Sequence, residues 1–193
     1  MEELIIRIFC WFIPKKKWRQ KFRIRARMAK YLPDYFKIKK ITKGRLGKNF
    51  YLGGHSYVNS QTTIKDNVVF NGMQIRGEGP VTIGNYFTSG VECMILTQSH
   101  DYDHGEAIPY DSKHYIFKPV VIEDFVWFGS RVTVLPGTHI GEGAIIQAGS
   151  VVRGEIPKYA IAGGNPAKVF KYRDIEHFEK LKEEQKFYKH IDF

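Results

Sequence analysis

The sequence is poor in cysteine and in long apolar runs. Its two cysteines, Cys10 and Cys93, stand 83 residues apart, which excludes a disulfide framework and the paired spacing of zinc-ligand motifs. The longest apolar run, LIIRIFCWFIP, is interrupted by Arg7 and is about half the roughly 20 residues that span a bilayer. No signal-peptide cleavage site follows it. We therefore expect a cytoplasmic protein without a transmembrane helix.

Negative charge is scarce near the N-terminus. Residues 1–40 hold 13 Lys/Arg against 3 Asp/Glu, whereas residues 41–193 hold 17 of each, so the formal net charge of +10 belongs to the first 40 residues. An apolar helical face can be drawn through Trp18, Phe22, Ala26 and Ala29. The pattern predicts a basic, amphipathic helical arm over residues 1–40.

Two interpretations of this arm remain open. Residues 1–30 could bind an anionic membrane surface, which would place the protein at the inner face of the cell membrane. Alternatively, the arm packs against the rest of the protein. Nucleic-acid binding is not expected, because no nucleic-acid module accompanies the basic residues.

A repeat of six residues dominates the rest of the sequence. Steps of six meet an apolar residue each time in two runs: Leu46, Leu52, Val58, Ile64 and Phe70, then Ile122, Phe128, Val134, Ile140, Ile146 and Val152. A shorter run, Ile83, Ser89 and Ile95, has one lapse. This period fits neither a helix nor a hairpin meander. It predicts one all-β solenoid domain over residues 41–170, with three short strands per coil and the repeated residue pointing inward.

Two segments depart from the repeat. Residues 101–119 interrupt it and are expected to form a loop excursion. After the solenoid, Ile175, Phe178 and Leu181 follow a helical spacing. We therefore predict a short C-terminal helix within residues 171–193, docked on the solenoid or on a neighbouring subunit.

The ordered block VTIGNYFTSGVECMILTQSHDYD, followed by KPVVIEDFVWFGSRVTVLPGTHIGEGAIIQAGSVVRGEIPKYAIAGGNPAKVF, resembles the hexapeptide-repeat acyltransferases. Within that family it is most similar to sugar O-acetyltransferases of the galactoside and maltose type and to those of bacterial surface-polysaccharide clusters. The resemblance implies a left-handed parallel β-helix, acetyl-coenzyme A as co-substrate, and a homotrimer with active sites between subunits. No metal is expected.

His100 is the candidate general base. It is the last residue of its hexad and lies next to the excursion, where we expect the solenoid corner to form one wall of a groove. A free imidazole has a pKa of about 6.5, so it is largely neutral at cytoplasmic pH and can accept a proton from a hydroxyl. The resemblance of TQSH, residues 97–100, to the family's T-x-x-H element implies that His100 is catalytic. His104 and His114 share the excursion, but a zinc site built from one short segment is not expected.

The resemblance also implies a set of cofactor contacts. Trp127 in VWFGS matches a tryptophan beside the reacting groups, and the Ser130 N–H matches the donor to the thioester oxyanion. Ala148 in IIQAGSVV matches a residue at the pantetheine arm. Arg153, Lys168 and Lys171 are expected near the nucleotide phosphates, although Arg153-Gly154 replaces the usual Thr-Lys.

The acceptor side is predicted from composition. Tyr102, Asp103 and Tyr110 in the excursion offer an aromatic face and hydrogen-bond acceptors for a sugar, and Asn71 matches an acceptor-binding asparagine of the galactoside enzymes. Together with the resemblance, these residues imply O-acetylation of a sugar or glycan hydroxyl. N-acetylation of an amino-sugar nucleotide and a non-catalytic scaffold in glycan assembly remain alternatives.

Overall fold

The hexad repeat folds as a parallel β-solenoid, as the sequence predicts. A computed structural model describes residues 24–188. Its first face is a parallel sheet of β2 (Thr62–Ile64), β5 (Val81–Ile83), β10 (Val120–Ile122), β13 (His139–Ile140) and β16 (Glu155–Ile156). The second face holds β1 (Tyr51–Gly54), β3 (Val69–Asn71), β6 (Thr88–Ser89), β11 (Trp127–Phe128), β14 (Ile145–Ile146) and β17 (Ala160–Gly164). The third face holds β4 (Met73–Arg76), β7 (Cys93–Leu96), β12 (Thr133–Val134) and β15 (Val151–Val152).

The chain visits the three faces in turn, so each coil stacks on the previous one in register. On the first face, Ile83 pairs with Ile122 and Ile122 with Ile140. Such stacking buries the repeated hexad residues from Leu52 onward, while Leu46 is half-buried. Each of these aliphatic side chains contributes about 1.5–3 kcal/mol when it is fully buried.

The single lapse in the hexad repeat has a packing reason. Ser89 is buried, and the ring of Phe87 fills the space beside it, between Phe70 and Phe128. The Phe87 and Phe128 centroids are 4.9 Å apart in an edge-to-face arrangement, which aromatic pairs favour. A larger residue at position 89 would compete with this stack of rings.

Helices lie at both ends of the described chain. Residues 24–30 are helical, and α1 (Leu32–Thr42) follows with Pro33 in its first turn. Helix α2 (Ile175–Glu183) begins at Asp174, whose carboxylate accepts a hydrogen bond from the His177 N–H. The predicted C-terminal helix is thus present. None of the helices within residues 24–188 is long and apolar enough to cross a bilayer.

Helix α2 docks on the solenoid of its own chain. Phe178 packs edge-on against Phe125 and Tyr159, with ring centroids 5.9 and 5.3 Å apart. The Tyr159 hydroxyl also bonds the Glu179 carboxylate at 2.6 Å, which raises the pKa of Tyr159 to about 12. Of the two docking partners that the sequence allowed, the structure shows the solenoid.

Helix α1 covers the N-terminal end of the solenoid. Ile38 and Thr42 are buried, and Tyr31 and Tyr35 pack against the core. The described part of the N-terminal arm therefore packs on the protein, one of the two interpretations left open by the sequence. Of the predicted apolar face, Ala26 is half-buried and Ala29 is exposed, while Trp18 and Phe22 lie outside the described residues.

Candidate active site

The interruption of the repeat is a β-hairpin that carries His100. Strand β8 (Gln98–Asp101) pairs antiparallel with β9 (Asp111–Phe117), and His100 lies opposite Tyr115. We expected a loop beginning at residue 101, but the hairpin begins three residues earlier. The sequence of β9, DSKHYIF, has the aromatic and β-branched residues that favour a strand.

The hairpin is anchored where the third face meets the first. Thr97 is fully buried, and its carbonyl accepts a hydrogen bond from the Lys118 N–H at 3.0 Å. The Thr97 hydroxyl donates to the Arg76 carbonyl and accepts from the Gly79 N–H, both at 3.0 Å. His100 therefore projects from the corner between β7 and β10, which we call the third–first corner.

A buried carboxylate orders the tip of the hairpin. Asp111 is 5% exposed, and it accepts hydrogen bonds from the Lys113 N–H at 2.7 Å, the His114 Nδ1 at 2.8 Å and the Glu106 N–H at 3.2 Å. These donors, with Lys113 first, lower the pKa of Asp111 to about 2. The hydrogen bond between His114 and Asp111 also raises the pKa of the His114 imidazole above its ordinary value.

A second carboxylate shapes the turn directly after His100. Asp101 accepts hydrogen bonds from the His104 N–H at 2.9 Å and the Asp103 N–H at 3.1 Å. The His104 N–H is the main cause of the lowered pKa of Asp101. Asp101 and Asp111 together fix the backbone on both sides of the tip.

The imidazole of His100 lies against two tyrosine rings. Its centroid is 4.0 Å from that of Tyr110, with the planes 27° apart, and 4.6 Å from that of Tyr115. Its Nδ1 is buried and has no hydrogen-bond partner within residues 24–188. This arrangement leaves Nε2 as the nitrogen that can meet a hydroxyl group. Sequence reasoning missed Tyr115, which only the strand register places beside His100.

Ser130 and Ala148 lie at a different corner, between the second and third faces. The Ser130 carbonyl accepts a hydrogen bond from the Gly149 N–H at 2.8 Å, which stacks the two coils. The coils approach so closely that a Cβ on Gly129 would lie 2.5 Å from the Ala148 nitrogen. This second–third corner therefore has a flat, backbone-lined surface, and Ala148 is exposed on it.

Trp127 stands beside that corner on the outer side of the second face. It pairs with Thr88 and Ile145 in the neighbouring coils, and because Phe128 points inward, the Trp127 side chain points outward. Its exposed fraction is 52%. The structure thus brings Trp127, Ser130 and Ala148 to one edge of the solenoid.

Asn71 belongs to the second–third corner too. Its side-chain amide donates to the Ser89 carbonyl at 2.8 Å, and its backbone N–H donates to the Ser89 hydroxyl at 3.2 Å. Within one chain, Asn71 lies on the same corner as Ser130 and on a different corner from His100.

The basic candidates fall into two places. Lys168 and Lys171 are exposed on β18 (Ala167–Tyr172), an antiparallel strand that pairs with β17 at the C-terminal end of the second face. Arg153 is exposed at the third–first corner, directly after β15. Only the two lysines therefore share a strand.

Of the acceptor candidates in the hairpin, Tyr110 contacts His100 directly. Tyr102 and Asp103 are exposed on the turn after it. His114 is engaged by Asp111, and the described residues contain no group of three or more potential metal ligands. His139 lies outside the site, between Glu123 and Glu155 on the first face.

Residues 119–154 match the family model described as bacterial transferase hexapeptide (six repeats). A protein of Escherichia coli K12 named as a lipopolysaccharide biosynthesis O-acetyl transferase is 39% identical over 113 residues, 55% of this chain and 58% of that protein. The chain spans little more than half the length of such curated relatives.

Two solved structures share the fold. A hexapeptide-repeat acetyltransferase from Vibrio cholerae, in complex with acetyl-coenzyme A, is 26% identical with a TM-score of 0.63 over 79% of this chain and 85% of that one. A maltose O-acetyltransferase from Clostridium difficile is 22% identical with a TM-score of 0.60 over 90% of this chain and 84% of that one. The second likeness is one of fold alone.

Proposed function

We propose that this chain, which carries the hexapeptide repeat of bacterial transferases over residues 119–154, is an acetyl-coenzyme A-dependent O-acetyltransferase acting on a hydroxyl of a sugar or surface polysaccharide. The observation that carries the proposal is the setting of His100. A hydrogen-bonded hairpin holds its imidazole against two tyrosine rings with one ring nitrogen buried. Such restraint is what a general base needs, and an ordinary surface histidine lacks it.

The chemistry follows from the two nitrogens and the oxyanion donor. His100 Nε2 takes the proton of the acceptor hydroxyl while the oxygen of that hydroxyl attacks the thioester carbonyl. The Ser130 N–H stabilises the negative oxygen of the tetrahedral intermediate. That intermediate collapses to the acetyl ester, and the leaving thiolate takes its proton from the His100 imidazolium. No covalent acetyl-enzyme is needed.

The two halves of this machinery lie on different corners of one solenoid. His100 projects from the third–first corner, and Ser130 lies at the second–third corner. We therefore propose a homotrimer in which the hairpin of one subunit faces the Ser130 corner of the next.

Acetyl-coenzyme A fits the Ser130 corner. A flat surface of small residues, Gly129 and Ala148, admits a narrow pantetheine arm. Lys168 and Lys171 lie exposed farther along the second face, where their charge would meet the nucleotide phosphates. The V. cholerae relative that binds acetyl-coenzyme A supports this assignment.

Support for a glycan hydroxyl as acceptor comes from the hairpin and from the E. coli relative. Tyr102 is exposed beside the base, and aromatic faces pack on the apolar faces of sugar rings. The relative named for lipopolysaccharide O-acetyl transfer is 39% identical. An amine acceptor is the competing possibility, and the product distinguishes the two.

The test combines an acceptor panel with one variant. The wild-type chain should release coenzyme A when supplied with acetyl-coenzyme A and a suitable glycan, and the product should lose its acetyl group in mild base, as esters do and amides do not. The His100→Ala variant should keep its affinity for coenzyme A while kcat falls by about 10²–10⁴, the usual contribution of a positioned base. His177→Ala, which alters an exposed histidine on α2, is the matched control.

Three outcomes would contradict the proposal. A base-stable acetyl product would show N-acetylation. Full turnover by His100→Ala would remove the general base. A wild-type chain that binds no coenzyme A would leave the scaffold interpretation in place.

A further inference from the structure

Helix α1 has two opposite faces with different chemistry. Its inward face carries Tyr31, Tyr35, Ile38 and Thr42, which pack on the solenoid or are buried. The outward stripe consists of Leu32, Phe36, Lys39 and Lys40, at helical steps of about four and seven residues, and of Lys43, which directly follows the helix as its C-cap. Nothing within residues 24–188 covers this outer stripe, and all five of its residues are exposed.

The outer stripe combines apolar side chains with positive charge. Phe36 is 61% exposed and Leu32 is 42% exposed, one turn apart. Lys39, Lys40 and Lys43 continue the stripe toward the C-terminal end of the helix. Adjacent exposed apolar side chains rimmed by charged residues are typical of surfaces that bind a partner or a membrane.

The charge around the outer stripe has one sign. Residues 24–48 contain nine Lys/Arg and a single acidic residue, Asp34. The Asp34 carboxylate is turned toward the solenoid, where it accepts from His55 Nδ1 at 3.0 Å and from the Ser56 N–H at 3.1 Å. The only carboxylate of the segment therefore does not neutralise the lysines of the outer stripe.

We propose that the outer stripe of α1 docks the protein on an anionic lipid surface, an inference that does not depend on the proposed activity. Leu32 and Phe36 would enter the headgroup layer, while the lysine ammonium groups remain at the phosphates at the ends of their aliphatic stems. Each Lys near an anionic leaflet contributes roughly fivefold to binding, the equivalent of about 1 kcal/mol.

Lipid fits the outer stripe better than nucleic acid does. A nucleic-acid duplex offers phosphates to the lysines but no apolar layer to two adjacent side chains such as Leu32 and Phe36. A bilayer interface offers both. The sequence of residues 1–23 adds seven Lys/Arg and the run LIIRIFCWFIP, although these residues lie outside the described part of the chain.

The experiment measures partition of the full-length chain onto vesicles. Wild-type protein should sediment with vesicles of phosphatidylcholine and phosphatidylglycerol, but not with vesicles of phosphatidylcholine alone. Raising the ionic strength from about 0.15 M to about 1 M, which shortens the Debye length from about 8 to about 3 Å, should weaken binding.

Two double variants test the two components separately. Lys39→Gln/Lys40→Gln should weaken partition by about 25-fold, because two contributions of roughly fivefold each are lost. Leu32→Ser/Phe36→Ser should weaken it comparably and leave less residual binding at high salt. The matched control is Ile175→Ser/Lys180→Gln, which changes one exposed apolar and one exposed basic residue on α2. Circular dichroism confirms that each variant is folded.

Several results would overturn the proposal. Equal partition of wild type and both α1 variants would assign any vesicle binding to another part of the chain. Binding that ignores lipid charge would remove the role of the lysines. Tighter binding to a DNA or RNA oligonucleotide than to anionic vesicles, unaffected by Leu32→Ser/Phe36→Ser, would identify nucleic acid as the partner.

Discussion

The His100 imidazole stacks on the phenol ring of Tyr110, with 4.0 Å between the centroids and 27° between the planes. Tyr110 lies in the turn between the two hairpin strands and stands ten residues from His100 in sequence, so the hairpin brings the rings together. Tyr115 contacts the same imidazole. The orientation of His100 thus depends on residues of the turn and of the opposite strand of the hairpin.

Replacing Tyr110 by Ala should lower kcat by about two- to tenfold, because the stack that orients the imidazole contributes about 0.5–1.5 kcal/mol. Tyr110→Phe keeps the ring and should remain close to wild type. Initial rates at saturating acetyl-coenzyme A measure the effect, and the KM for acetyl-coenzyme A should not change. If Tyr110→Phe is as impaired as Tyr110→Ala, the hydroxyl contacts the acceptor and stacking is not its main role.

The Asp111–His114 bond should couple the titration of the hairpin tip. Because the folded pKa of Asp111 is about 2, its contribution to hairpin order is present above its ordinary pKa of about 3.9 and is lost as the pH falls toward 2. The pKa of His114 is raised, so its contribution to hairpin order changes with pH in the opposite direction. Its contribution is present below about 6.5 and is lost as the pH rises through the folded pKa.

Asp111→Asn should therefore lower the pKa of His114 toward its ordinary value and should speed proteolytic cleavage of the tip at neutral pH. Proton NMR titration of the imidazole and limited proteolysis provide the two measurements. Asp103→Asn, a change on the same tip outside the bonds made by Asp111, is the control. An unchanged His114 titration in Asp111→Asn would show that the pair does not form in solution.

Lys168→Ala or Lys171→Ala should raise the KM for acetyl-coenzyme A more than the KM for its 3′-dephospho analogue, since a lysine at a phosphate acts through charge. The effect should shrink at high salt. Lys180→Ala, on α2, is the control for general loss of charge. Equal effects on both co-substrates would remove the assignment to that phosphate.

A shared site predicts complementation between two inactive proteins. His100→Ala removes the base, and Ala148→Trp fills the flat surface of the second–third corner. After dissociation and reassembly, some interfaces of a mixed trimer pair an intact His100 with an intact Ala148, so part of the activity should return. Each variant reassembled alone serves as the control.

Mass measurement must accompany that experiment. A fully active monomer of about 22 kDa, or mixed trimers that stay inactive after demonstrated subunit exchange, would contradict a site between subunits. Light scattering on the same samples distinguishes these cases.

The solenoid could be predicted from the sequence because its core residues recur at a fixed, short interval along the chain. Each coil has the same inward-facing positions, so Ile122, Ile140 and their counterparts recur at fixed intervals. This interval does not depend on residues elsewhere in the chain. The C-terminal helix could also be predicted from the sequence, since Ile175, Phe178 and Leu181 follow a helical spacing. Ser89 was a lapse in the sequence, and the ring of Phe87 explains it.

The environment of His100 could not be predicted in the same way. An interruption of the repeat shows that the chain leaves the coil, but the partners of β8 depend on which residues pair across a turn. The register placed Tyr115 opposite His100 and made Asp111 a buried acceptor, whereas the sequence had suggested an irregular loop. Composition identified Tyr110 as a candidate without indicating that it stacks on the base.

By itself the sequence determined the hexad core, the presence of an interruption and the small residues of the second–third corner, because each is a matter of spacing along one chain. Only the tertiary structure decided that His100 and Ser130 project from different corners and that Asp34 turns inward while Leu32 and Phe36 stay exposed. Those facts depend on how the coils and helix α1 are oriented in space. Orientation arises from packing between residues far apart in sequence, which residue spacing does not record.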